Sequence, residues 1–187
     1  LPVGDVNVAD AGVVQVATGR YHTCALLSNG KVRCWGYSFW GQLGYGNMNT
    51  IGDDEVPSAA DDVSIDPDAS VVRIATGANH NCALLSNGKV RCWGANIYGQ
   101  LGYGNANNIG DTELPSSVGY VNVGGDAIQL VAGDLHTCVL LATGQMRCWG
   151  HGADGRLGSG NTNDFGKLAG EVPADAGEVS VDAGIVR

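Results

Sequence analysis

One fourteen-residue pattern, returning three times in phase, limits the folds open to this chain more than any other feature. Residues 22–35 read H-T-C-A-L-L-S-N-G-K-V-R-C-W, residues 80–93 read H-N-C-A-L-L-S-N-G-K-V-R-C-W, and residues 136–149 read H-T-C-V-L-L-A-T-G-Q-M-R-C-W. The first two histidines are 58 residues apart and the next two 56. A fixed period of this length is the signature of a repeat architecture, in which each unit buries its faces against its neighbours.

The spacers repeat as well. Each unit opens on a Leu/Val-Pro step (Leu1-Pro2, Val56-Pro57, Leu114-Pro115, Val172-Pro173) and a short β-branched run at 6–8, 63–65, 121–123 and 179–181. An apolar run ending in glycine follows at 13–19, 71–77 and 127–133. The hairpin comes next, then a glycine-rich segment, W-G-x4-G-Q-L-G-Y-G-N in two copies and W-G-x4-G-R-L-G-S-G-N in the third. Four or five short β runs per unit, without helical periodicity, predict an all-β chain of tandem units. The units are 1–55, 56–113 and 114–171, with 172–187 the first strands of a further repeat, because D-A-G-I-V-R at 182–187 matches D-A-G-V-V-Q at 10–15. The chain opens on Leu1 rather than Met and stops within a predicted strand, as a processed product or an excised piece would.

The hairpin has a predictable register. With Ser28-Asn29-Gly30 as a three-residue loop and Gly30 left-handed, Leu26 faces Val32, Ala25 faces Arg33 and Cys24 faces Cys34. That last pair falls at a non-hydrogen-bonded position, where Cα atoms approach to about 4.5 Å and a disulfide can form. A two-residue Asn29-Gly30 loop would instead set Cys24 opposite Trp35. Six cysteines in three C-x9-C pairs, Cys24/Cys34, Cys82/Cys92 and Cys138/Cys148, point to disulfides and an oxidising, extracellular or cell-surface location. Free core thiols and metal ligation are the alternatives, although the short C-x2-4-C knuckles of zinc sites are absent.

Charge narrows the partners. A net charge of -9 gives nothing to neutralise a phosphate backbone and disfavours an anionic membrane surface. No apolar run is long enough to span a bilayer. The chain carries no nucleophile elbow, P-loop or His-Glu zinc motif, so a non-enzymatic role is expected. His22, His80 and His136 recur in phase, either as metal ligands around a shared axis or as partners of loops in their own blades. His151 lies outside the pattern and reads as a surface loop residue.

Two candidate sites remain. The loops 47–55 and 105–113 are rich in side-chain oxygen, and Asn47, Asp53, Asp54, Asn105 and Asp111 are candidate calcium ligands. They lack the EF-hand pattern, Asn/Asp/Gly is also ordinary turn chemistry, and the third copy loses most of the acids. No other cofactor is indicated. The segments after each Trp-Gly differ between copies and carry Tyr37, Phe39, Trp40, Ile97 and Tyr98, where a partner would be recognised.

The series G-x-x-H-x-C-x-L-L, N-G-K-V-x-C-W-G and G-Q-L-G-Y-G-N resembles the regulator of chromosome condensation repeat, particularly the cysteine-paired versions of secreted myxobacterial proteins. The resemblance implies four-stranded antiparallel β-propeller blades, commonly seven to a ring. A seven-blade ring needs about 400 residues at this repeat length, so three units do not close alone. Only the fold is carried over, not the founder's nucleotide-exchange and chromatin roles. Three functions follow as expectations: a self-assembling extracellular scaffold, a protein-binding module cut from a longer propeller, or a calcium-dependent or carbohydrate-binding surface with Trp40 and Tyr98 as stacking platforms.

Overall fold

A computed structural model describes residues 6–9 and 11–179. The Leu1-Pro2 step and the match of 182–187 to 10–15 lie outside them, wholly or in part. Among these residues nine strands form three separate antiparallel sheets in simple up-down order. The first holds β1 (Val13–Thr18), β2 (His22–Leu27) and β3 (Val32–Gly36); the second β4 (Val71–Thr76), β5 (His80–Leu85) and β6 (Val90–Gly94); the third β7 (Ala127–Ala132), β8 (His136–Leu141) and β9 (Met146–Gly150). Each sheet is one blade, and their facing surfaces share a core that includes Leu43, Ile74, Trp93, Leu101, Leu130 and Trp149.

The hairpins take the three-residue loop. Leu26 pairs with Val32, Ala25 with Arg33 and Cys24 with Cys34. Gly30 turns at φ 77° and donates its N–H to Leu27 O. The three cysteine pairs are disulfides with Cα atoms 4.0–4.1 Å apart. On the inner side, each ladder slips by one residue after Val13, Val71 and Ala127. The displaced Val14, Val72 and Ile128 therefore turn outward and are exposed.

Among the described residues the expected fourth strand does not form, and each sheet has three strands. The outer edge of β3 is satisfied piecemeal. Val32 O accepts one bond from Val63 N at 2.8 Å, and Gly36 exchanges two bonds with Ile51. Between them the Tyr45 hydroxyl accepts from Cys34 N and donates to Cys34 O, both at 3.2 Å. A phenol thus occupies the groups that another strand would pair. The β-branched runs at 63–65 and 121–123, expected as strands, make single contacts of this kind through Val63 and Val121, and Val179 does the same at the edge of the third blade.

One-turn 3-10 segments follow the prolines at Pro57–Ala59, Pro115–Ser117 and Pro173–Asp175. The β3-type arginines hold them. Arg33 Nη1 donates to Val8 O and Ser58 O while its Nε meets Asp62 at 2.9 Å. Arg91 donates to Pro115 O and Val118 O and pairs with the buried Asp66. Arg147 reaches Pro173, Ala174 and Ala176 carbonyls, and its buried Nε has no partner among the described residues.

Candidate functional site

Trp93, Trp149, His22 and His80 find their polar partners in a neighbouring blade. Asn81 Nδ2 (2.6 Å) and Trp93 Nε1 (3.1 Å) in the second blade both donate to Gln42 O in the first. Thr137 Oγ1 and Trp149 Nε1 in the third blade do the same to Gln100 O. One backbone carbonyl of the G-Q-L-G turn is therefore the anchor of each interface. At the inner strands, the Gln15 amide bonds both Ile74 O (2.7 Å) and Ile74 N (3.0 Å), substituting for a strand neighbour.

His22 and His80 join this network and so contact the following blade, not a loop of their own. His22 Nε2 lies 2.8 Å from Asn81 Oδ1, and His80 Nε2 lies 3.0 Å from Thr137 Oγ1. An amide oxygen only accepts, and the Thr137 proton is committed to Gln100 O. Both histidines are thereby assigned a proton on Nε2. Each ring packs over the glycine three residues before it. A Cβ on Gly77 would stand 2.1 Å from His80 Cε1 and 2.5 Å from Gly133 O, which explains the G-x-x-H spacing.

Burial holds these imidazoles neutral. It lowers His22 despite the Asn81 bond, and takes His80 down to about 3, with the other two histidines adding to the effect. His136 is lowered by burial and then by Arg156. The unfolded chain protonates near pH 6.5 and the folded one only at lower pH, so stability is fully present above about 6.5 and is lost as pH falls. The urea midpoint is expected to fall between pH 7 and 5, above the range where carboxylates titrate, and His80→Asn should flatten that slope. An unchanged slope in His80→Asn would contradict the assignment.

The calcium candidates stand in two loops, and in the first of them Asn47 and Asp54 line one groove. Asn47 Oδ1 and Asn105 Oδ1 each accept a backbone N–H two residues on, from Asn49 and Asn107. Asp111 lies against Gly41, with Thr112 Oγ1 at 3.5 Å from its carboxylate. Asp53 and Asp54 gather with Glu55, exposed, their oxygens within 4.8 Å of one another. A bond from Asp54, burial and the neighbouring charges raise the Glu55 pKa.

The aromatic candidates do assemble. Tyr21 meets Tyr37 edge-on at 6.2 Å, Tyr37 stacks with Phe39 at 6.2 Å, and Phe39 meets Trp40 edge-on at 5.0 Å. Phe39 is 52% exposed and Trp40 37%. The second blade packs against this turn at Gly41, which lies against Gly110 and Asp111. Ile97 is exposed at the same place in the second copy, whereas Tyr98 is covered by the His151 ring at 4.2 Å. His151 is accordingly no free loop residue: its Nδ1 lies 2.8 Å from Asp164 Oδ1, and Lys167 completes the cluster. Lys167 and His151, after a larger opposing effect of burial, hold Asp164 down at about 2. Tyr21, Gln42 and Gln100 gave no signal of their own in the sequence. Tyr21 sits in a short inter-strand link, and the glutamines act through backbone oxygen, which residue type does not encode.

Three-stranded blades turned face to face around a common interior define an open array of β-propeller blades. The "Regulator of chromosome condensation (RCC1) repeat" matches residues 13–42, 71–100 and 127–156, and a second description of the same repeat matches 29–84 and 87–140. The chain belongs to the regulator of chromosome condensation repeat family. It is 32% identical over 149 residues to the Ultraviolet-B receptor UVR8 of Arabidopsis thaliana, covering 80% of this chain and 32% of that one. It is 34% identical over 157 residues to human Probable E3 ubiquitin-protein ligase HERC4, covering 84% of this chain and 14% of that one. It therefore spans a minor part of both relatives. Among solved structures it resembles human WBSCR16 (TM-score 0.68, 26% identity, 86% of this chain and 38% of that one). It also resembles yeast RCC1 (Prp20) in its structure bound to Kap60 (TM-score 0.67, 21% identity, 91% and 37%). Among the described residues no helix is long and apolar enough to cross a membrane.

Proposed function

We propose that this chain is a non-catalytic protein-binding segment of an exported β-propeller, of the cysteine-paired secreted kind. The observation that carries the reading is the exposed Tyr21–Tyr37–Phe39–Trp40 cluster. It stands on a turn whose backbone is pinned by Gly41 N to Ser38 O and by the Gln42 carbonyl in the blade interface. Rigid aromatic side chains held on a rigid turn present apolar area with little ordering cost, the chemistry of interface anchors. Three disulfides support export, since they persist where thiols are oxidised. A self-assembling scaffold is the second reading. It is favoured by the contrast between exposed Val16 in the first blade and buried Ile74 and Leu130 at the same place in the others. A blade of another copy seated there would cover Val16 as the existing interfaces cover its counterparts.

One comparison tests both readings. Phe39→Ala/Trp40→Ala should lose at least tenfold in affinity for a protein that the unaltered chain captures from the extracellular fluid of its source, with an unchanged melting temperature. Light scattering over a hundredfold range of concentration should show a constant mass if partner binding is the role. Equal capture by the variant would remove the aromatic cluster from the account, and a mass rising with concentration would favour the scaffold.

A further inference from the structure

The third blade lacks the phenol that closes the outer edge of the other two. In the second blade Tyr103 repeats the contact of Tyr45, accepting from Cys92 N at 3.1 Å and donating to Cys92 O at 3.3 Å, and burial pushes its pKa up to about 12. The matching residue of the third blade is Ser159, which is exposed. Among the described residues, Cys148 N and Cys148 O have no hydrogen-bond partner in place of that phenol.

A groove of about 610 Å³ opens where the ring would lie, lined by Cys148, Leu157, Ser159 and Phe165 together with polar side chains that include Asn161 and Asn163. A groove of similar volume, about 620 Å³, runs along the first blade, but Tyr45 itself forms its wall and neither Cys34 nor Leu43 lines it. The difference is the vacated ring. It leaves a slot of mixed apolar and polar lining that ends on one unpaired N–H and one unpaired C=O of an edge strand, and Cys148 is 7% exposed against 1% for Cys34 and 0% for Cys92. Unpaired backbone polar groups at the end of a slot that also presents Leu157 and Phe165 favour a ligand that brings both a ring and a donor–acceptor hydroxyl.

We propose that this slot binds the phenol of a tyrosine side chain presented by a protein partner, with the hydroxyl accepting from Cys148 N and donating to Cys148 O. The occupant is the group that two sister blades supply internally, so the slot's shape and its polar end are both matched to it. Asp164, Glu171 and Glu178 around the opening make a phosphorylated tyrosine unsuitable. This site is independent of the aromatic cluster on the first blade and stands or falls separately.

The test uses p-cresol as the probe, followed by amide chemical shifts of the intact chain. A saturable shift centred on Cys148, Ser159 and Phe165 is expected, with a dissociation constant on the order of 1 mM. Toluene forms neither of the two hydrogen bonds and should bind at least about fivefold more weakly, the factor for losing a single one. N-acetyl-tyrosine amide should compete with p-cresol, and its phosphorylated form should not. Ser159→Tyr should abolish the response and raise the melting temperature. The proposal is overturned by an absent or unsaturable p-cresol shift, by toluene binding equally well, or by p-cresol binding to folded Ser159→Tyr. It is likewise overturned if Ser159→Tyr melts below the unaltered chain, since the slot would then not accept a phenol. Binding of p-cresol without competition from N-acetyl-tyrosine amide would reassign the slot to small free phenols and overturn the tyrosine partner.

Discussion

Reduction of the three disulfides is expected to remove about 2–3 kcal/mol of stability per bond, by restoring loop entropy to the unfolded chain. Each bond spans a sequence separation of 10 and joins residues already opposite one another in the ladder, with Cα atoms 4.0–4.1 Å apart. Forming them therefore asks for no rearrangement of the sheets. The bonds sit in three different blades, so their contributions should nearly add. Their total is then comparable with the whole stability of an ordinary domain. The reduced chain should be largely unfolded at room temperature, which ties folding to an oxidising compartment. Urea unfolding with and without reductant measures the effect, and a thiol count of six only after reduction confirms the bonds. Cys138–Cys148 should open first, because no tyrosine covers the Cys148 edge. A reduced chain with the same midpoint as the oxidised one would remove both the stapling and the export argument.

Replacing Trp93 by alanine is expected to cost about 3–5 kcal/mol. The side chain is fully buried between the first and second blades. Its indole N–H is one of two donors to Gln42 O, and the first blade's turn loses that support when the ring is gone. Trp93→Phe keeps most of the buried area but not the donor, and should cost about 1–2 kcal/mol. Trp35 occupies the same place in the first hairpin but is only half-buried. Trp35→Ala should therefore cost clearly less, although the two tryptophans are indistinguishable in the repeat. The comparison is made from urea midpoints at a constant slope, which separates stability from changes in the unfolded state. Equal losses in Trp35→Ala and Trp93→Ala would show that the tryptophans stabilise their own hairpins and not the contact between blades.

These two expectations differ in how far the sequence foretells them. The disulfides follow from local rules. Gly30 fixes the turn, the turn fixes the register, and period-two alternation then sets Cys24 against Cys34 within eleven residues of chain. The role of Trp93 rests on Gln42, 51 residues away, and on the relative placement of two sheets. No local rule supplies that placement. The histidines show the same division, since their recurrence announces a structural role while their partners lie 57–59 residues on.

The fourth strand is a case where a local signal was overruled. Short β-branched runs at 63–65 and 121–123 have strand propensity, yet a strand needs a free edge, and the phenols of Tyr45 and Tyr103 already hold the middle of that edge. Nothing in G-Y-G-N announces that its tyrosine substitutes for backbone. The binding surface is similarly divided: Tyr37, Phe39 and Trp40 could be picked out as aromatic residues unlike their counterparts in the other copies. Only the fold joined Tyr21 to them and covered Tyr98 with His151.

The amino-acid sequence by itself determined the repeat, the all-β class, the hairpin register and the three cysteine pairs, because each depends on contacts made within one short stretch of chain. The tertiary structure alone decided which carbonyls anchor the blades, which edge groups are closed by a side chain, and which one is left open beside Ser159. Those outcomes depend on atoms of distant residues brought within about 3 Å, and on backbone groups that every residue carries and no sequence pattern distinguishes.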